Sequence, residues 1–175
     1  MLIFKINSEN ELLEQENYAF GPGGMPSGLA DQGFKKGKIL PIPRLKKYQT
    51  LSERKYRSRG QYIEEYQEAV DMTIDEARTL ATEELSAQFY SDILWTDEEN
   101  QFYSKWKFQH SGEDEENVYD AWYGKVVRYW NESLTEKRLK KTKIGEANSL
   151  TELRRIRYNP SHTDTKESLL SPVRE

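Results

Sequence analysis

The chain has 175 residues, 35% hydrophobic, 32% charged and 12% aromatic, with a formal net charge of −4 and no cysteine. That length suits one domain, or one domain with arms, and a compact chain of this size buries roughly 70% of its unfolded surface. Lack of cysteine excludes disulfides, thiolate metal sites and cysteine nucleophiles, and no apolar run approaches the length of a membrane span.

In chain order, Leu2 to Ile6 is an apolar run of strand length. It is too short for the core of a secretory signal and runs straight into charged residues. Ser8 and Glu11 have capping-box spacing, which predicts a short helix over Glu9 to Asn17. Residues 21–28 hold four glycines and two prolines and predict a flexible loop. The following basic segment contains Ile39-Leu40-Pro41-Ile42-Pro43, whose prolines favour extended geometry, so an arm is expected across residues 35–60.

From Gln61 the apolar residues Ile63, Tyr66, Val70, Ile74, Ala77, Ala81 and Leu85 recur at steps of three and four, predicting helix. Thr73 with Glu76 is a second capping-box pattern, which predicts a break near Met72. The pairs Thr96/Glu99, Ser133/Glu136 and Ser149/Glu152 predict three further helix starts. Helices from Asp97 and Asn117 would present Phe102 with Trp106, and Val118 with Trp122 and Val126. Asn159-Pro160 stops the last helix by Tyr158, and residues from Ser161 onward have the composition of a tail. Asp97-Glu98-Glu99-Asn100 recurs as Asp114-Glu115-Glu116-Asn117, too short a match for a structural repeat.

These elements predict a mainly α fold: a single helical domain with a short N-terminal strand, a Gly/Pro-rich loop, an extended basic arm and a C-terminal tail. The expected divisions are 1–34, 35–60, 61–158 and 159–175.

Charge is segregated along the chain. Residues 35–59 carry ten Lys/Arg against Glu53, residues 61–120 carry seventeen Asp/Glu against three cations, and residues 137–157 return to net positive. Such blocks create steep local fields that govern association. Lys35, Lys36, Lys38, Arg44, Lys46, Lys47, Arg54, Lys55, Arg57 and Arg59, interleaved with Tyr48 and Tyr56, suit phosphate contacts with base stacking. Lys137, Arg138, Lys140, Lys141, Arg154 and Arg155 form a second set of candidate contacts to a polyanion or an acidic partner. The competing reading is that these cations neutralise acidic segments of the protein itself or of a neighbour.

The acidic segment could mimic a polyanion if Glu64, Glu68, Asp71 and Asp75 stood exposed and unpaired. At helix starts the simpler account is that carboxylates favour the dipole. Twelve of the 21 aromatics lie between Phe89 and Trp130, and Trp95, Trp106, Tyr119, Trp122, Tyr123 and Trp130 are candidates for an aromatic protein interface beside their core role.

Catalytic patterns are missing. Gly37-Lys38 is followed by Ile39 and so fails the phosphate-loop pattern, His110 and His162 lack metal-ligand spacing, and no serine sits in a nucleophile-elbow motif. The expected function is therefore a non-enzymatic interaction or assembly component without cofactor or metal, such as a ring-forming structural or connector subunit. Its partners would be other protein subunits or copies of itself, with nucleic acid as the alternative partner and no membrane. The expected location is cytoplasmic, or within an intracellular or viral assembly.

Overall fold

Leu2–Ile6 forms strand β1 with the predicted bounds, and what it pairs with decides the architecture of the N-terminal third. The computed structural model describes residues 1–19, 21–22, 24–94 and 115–170. The chain divides into two units, Met1–Met72 and Thr73–Glu175.

In the first unit, β1 turns back onto β2 (Leu12–Asn17), so the helix expected over residues 9–17 is an antiparallel strand. Asn7 is the cause. Its side-chain oxygen accepts from the backbone N–H of Glu9 at 3.0 Å and of Glu11 at 2.8 Å, which closes a hairpin loop where a helix cap was expected. A one-turn helix α1 (Ser27–Asp31) leads to β3 (Lys35–Ile39), which pairs antiparallel with the other edge of β1.

Further strands interrupt the rest of the expected arm, with residues 40–48 and 52–54 outside any strand. β4 (Gln49–Leu51), β5 (Lys55–Arg59), β6 (Tyr62–Tyr66) and β7 (Ala69–Asp71) form one long irregular hairpin. Gly60, at φ 57°, takes the positive-φ position of its two-residue turn. β6 docks parallel to β3, giving a five-stranded mixed sheet of order β2-β1-β3-β6-β5 and a two-stranded sheet β4-β7.

The fold is thus mixed α/β, which corrects the mainly α expectation. The helical period read from Ile63 to Val70 arose because β6 buries Glu65 where an apolar residue would have revealed alternation. Glu65 is tolerated there because Tyr56 Oη donates to it at 3.3 Å and Arg54 lies 3.5 Å away.

Ile3, Phe4, Phe34, Tyr48 and Ile63 form the buried apolar set of this unit. Gly37 is where the Phe4 ring crosses β3: a Cβ there would lie 2.8 Å from Phe4 Cε2.

In the second unit, α2 (Ile74–Ile93) opens with the predicted capping box. Thr73 Oγ1 accepts from Glu76 N–H, and the Glu76 carboxylate accepts from Thr73 N–H at 2.8 Å. Ala77, Ala81, Leu85 and Phe89 are buried along one stripe and pack on α3 (Glu115–Glu146). Ser133 and Glu136, expected to start a helix, lie inside α3. The Ser149/Glu152 cap does start a helix, α4 (Leu150–Arg155), with Leu153 fully buried. The segment expected to be a tail instead runs along α3 to α5 (Lys166–Leu170), where Trp122 Nε1 donates to the Leu169 carbonyl at 3.1 Å. The Thr96/Glu99 start and the Phe102/Trp106 pair fall outside the described residues, and so does the Val118 side chain.

Candidate functional site

Strand register sorts the charged residues of the sheet onto its two faces. Glu16 faces Ile3, Ile3 faces Lys36, Lys36 faces Tyr62, and Tyr62 faces Arg59, so these five share one face. Lys5, Glu14, Lys38, Glu64, Arg57, Lys55 and Tyr66 fall on that face too. Phe4, Lys35, Gly37, Ile63, Glu65, Tyr56 and Ser58 take the other. A large part of the basic segment is therefore a row of sheet positions.

Many of these cations are already paired. Glu64 on β6, between β3 and β5, lies 2.8 Å from Arg57 and 3.8 Å from Lys38. Lys55 binds Glu68, which raises the ammonium pKa through hydrogen bonding and charge. Arg57 also stacks over the Tyr66 ring at 4.6 Å, and Lys35 Nζ donates to Ser58 Oγ and the Gly60 carbonyl. Lys36 and Arg59 have no partner among the described residues, and they flank Tyr62, which is 44% exposed. Arg44, Lys46 and Lys47 lie on the segment before β4, where Lys47 sits over the Tyr48 ring.

The four carboxylates proposed as a polyanion mimic are all engaged: Glu64 and Glu68 as above, Asp71 with Gln49, and Asp75 with Arg78.

The sheet ends are unlike. β2 and its loop, residues 7–17, carry Glu9, Glu11, Glu14 and Glu16 with no cation; residues 54–60 carry Arg54, Lys55, Arg57 and Arg59 with no acid. Both are edge strands.

The second basic set lies in the other unit. Lys137 covers the Phe89 ring at 4.3 Å, Lys140 pairs with Glu136 at 3.1 Å, Arg138 and Lys141 lie on α3, and Arg154 and Arg155 close α4. Of the candidate aromatics, Trp122 is half-buried and Tyr123 and Trp130 are exposed; Trp95, Trp106 and the Tyr119 side chain lie outside the described residues.

A polar cluster not anticipated from the sequence lies between α2, α3 and the segment after α4. The Asp92 carboxylate accepts from Ser133 Oγ at 2.6 Å, from Tyr158 Oη at 2.7 Å and from Tyr129 Oη. His162 stacks on Tyr129 at 3.6 Å and places Nε2 3.4 Å from Asp92 and Nδ1 3.3 Å from Glu132. Glu132 also accepts from the Thr163 hydroxyl at 2.6 Å. Burial pushes the Asp92 carboxyl up, but the Ser133, Tyr129 and Tyr158 hydrogen bonds and His162 outweigh it and hold it below its ordinary value. Burial and the bond to Asp92 push the Tyr158 hydroxyl up.

Ser133, His162 and Glu132 have the residue types and order of contacts of a nucleophile–base–acid triad. The geometry opposes that use. Ser133 is 0% exposed, its hydroxyl proton points to Asp92, and its Oγ is 3.4 Å from the imidazole. The cluster instead fastens the segment after α4 onto both long helices. The sequence signal for it was the i, i+4 pair Tyr129/Ser133 with Tyr158 and His162 bracketing Asn159-Pro160.

Among the described residues no group of three or more His, Cys, Asp or Glu side chains is arranged so as to hold a metal ion, and no helix is long and apolar enough to cross a membrane. Comparison with protein-family models, curated proteins and solved structures finds no match.

Proposed function

We propose that this chain is a non-enzymatic assembly component that docks through the charged sheet of its N-terminal unit. The observation that carries this reading is the sheet's pair of edge strands, unpaired on their outer sides among the described residues, one acidic along β2 and one basic along β5. Complementary patches steer association and set its register, whereas like-charged patches opposed to one another are costly. Sedimentation velocity over a range of protein concentration tests it. Association is expected at about 0.1 M salt and is expected to weaken toward about 1 M, where the Debye length falls from about 10 to about 3 Å. A monomer at every concentration and salt refutes self-assembly.

One observation favours a second reading, single-stranded nucleic-acid binding. Tyr62 is an exposed ring between Lys36 and Arg59, two cations without a partner among the described residues, on one sheet face. A base stacked on such a ring is worth about 1–3 kcal/mol, with phosphates held on either side. Fluorescence anisotropy with labelled oligonucleotides decides it. Binding lost in Tyr62→Ala and at high salt supports this reading, and no binding at low salt removes it.

A further inference from the structure

We propose that copies of this chain associate head to tail by antiparallel pairing of β5 of one copy with β2 of the next, continuing the five-stranded sheet across the interface. This rests on the assembly reading and names both its partner, a second copy, and its contact.

Strand direction allows it. β2 and β3 run antiparallel to β1, β6 runs with β3, and β5 runs against β6. β5 and β2 therefore point opposite ways in one sheet. A second copy placed beside the first in the same orientation presents its β2 antiparallel to β5, the more stable ladder. No backbone hydrogen bond among the described residues joins the outer edge of either strand to another segment. Each edge is thus a row of open donors and acceptors, the usual template for strand addition.

Charge then selects which edges meet. Two β2 edges would set Glu14 and Glu16 against their own copies, and two β5 edges would oppose Lys55, Arg57 and Arg59. Only the unlike pairing brings opposite charges together. In the register that sets Ser58 opposite Gln15, Arg57 faces Glu16 and Arg59 faces Glu14, all four on the face that holds Lys36 and Tyr62. Glu16 and Arg59 have no partner of their own among the described residues, so this register gives each one. A β5-to-β2 contact is heterologous: each copy uses a different patch at each end, so the contact repeats into rings or filaments.

The absence of cysteine makes the contact directly testable. Ser58→Cys and Gln15→Cys are exposed substitutions that place thiols at cross-strand distance only in the proposed register. The two full-length variants are mixed under mild oxidation, with each alone as control, and sedimentation velocity is run in parallel. The expected result is a disulfide dimer in the mixture, several-fold above either variant alone. Adding Arg59→Glu to the Ser58→Cys copy should abolish it, and adding Glu14→Arg to the Gln15→Cys copy should restore it. Oligomers that never form the mixed cross-link overturn the edge pairing and leave assembly standing. A cross-link in Ser58→Cys alone overturns it in favour of like-edge pairing. Monomers throughout overturn both.

Discussion

Replacing Asp92 with alanine removes the acceptor on which three hydroxyls converge. Ser133 donates at 2.6 Å, Tyr158 at 2.7 Å, and Tyr129 also donates, with His162 Nε2 at 3.4 Å. A donor left unsatisfied in a buried site costs about 1–3 kcal/mol. The three share one site, so their losses do not simply add, and the expected total is about 3–5 kcal/mol. That is a large part of the roughly 5–15 kcal/mol that holds a domain folded. Urea unfolding followed by tryptophan fluorescence reads it, because Trp122 and Trp130 lie on α3. With an m-value of about 2 kcal/mol per M, the midpoint falls by about 2 M. Asp92→Asn keeps a neutral acceptor and should lose about half as much. A midpoint for Asp92→Ala within about 0.3 M of wild type would show that the cluster does not hold the segment after α4, and the reasoning would fail.

The same carboxylates fix the acid limb. Asp92 and Glu132 are both held below their ordinary values of 3.8 and 4.5. The unfolded chain therefore binds protons first on acidification. Their contribution is complete above those values and is lost as pH falls below them, through the folded-state pKa values. Asp92→Ala should flatten that limb; an unchanged acid slope counts against it.

Three further outcomes follow from single contacts. Gly37→Ala puts a methyl group 2.8 Å from the buried Phe4 ring and should cost about 1–3 kcal/mol, seen as a lower thermal midpoint; an unchanged midpoint would mean the ring yields freely. Thr73→Ala removes one half of the α2 capping box and should destabilise by about 1 kcal/mol, whereas Thr73→Ser should recover most of it in the same melt. Ser133 should resist a fluorophosphonate probe judged by intact mass, because its hydroxyl is buried and committed to Asp92; rapid labelling would reinstate it as a nucleophile.

What the sequence made legible was local. The Leu2–Ile6 run and the Thr73/Glu76 box are read from neighbouring residues, and both occur where expected. The strands were hidden because their stabilising pattern is not apolar alternation. β3 is Lys-Lys-Gly-Lys-Ile, and its only hydrophobic residue is exposed; it is held by ladders to β1 and β6 and by Lys38 facing Glu64. β6 buries a glutamate, so the period-two signal breaks at Glu65. Ser133/Glu136 has the spacing of a capping box, yet Ser133 turns inward to Asp92, 41 positions earlier in the chain. Nothing local separates that serine from a cap. The candidate cations suffered the same blindness: spacing marked Lys36 and Arg57 alike, and only strand pairing shows that Arg57 is bound to Glu64 and Lys36 is not.

Folding also changes what the charge blocks mean. Along the chain the basic and acidic runs look like separate arms, but residues 1–72 hold eleven Lys/Arg against ten Asp/Glu and are nearly neutral. The sheet redistributes that charge laterally. Glu64 on the interior strand β6 pairs with Lys38 of β3 and Arg57 of β5, while acids gather along the β2 edge and cations along the β5 edge. Five strands spaced about 4.8 Å apart set those edges about 19 Å apart. That is close to two Debye lengths at about 0.1 M salt, so a partner at one edge feels that edge and is largely screened from the other. A long polyanion crossing the sheet would meet the acidic strand as well as the basic one. A second copy meets each edge with its opposite, which is why strand addition between copies suits this charge layout better than a continuous polyanion track.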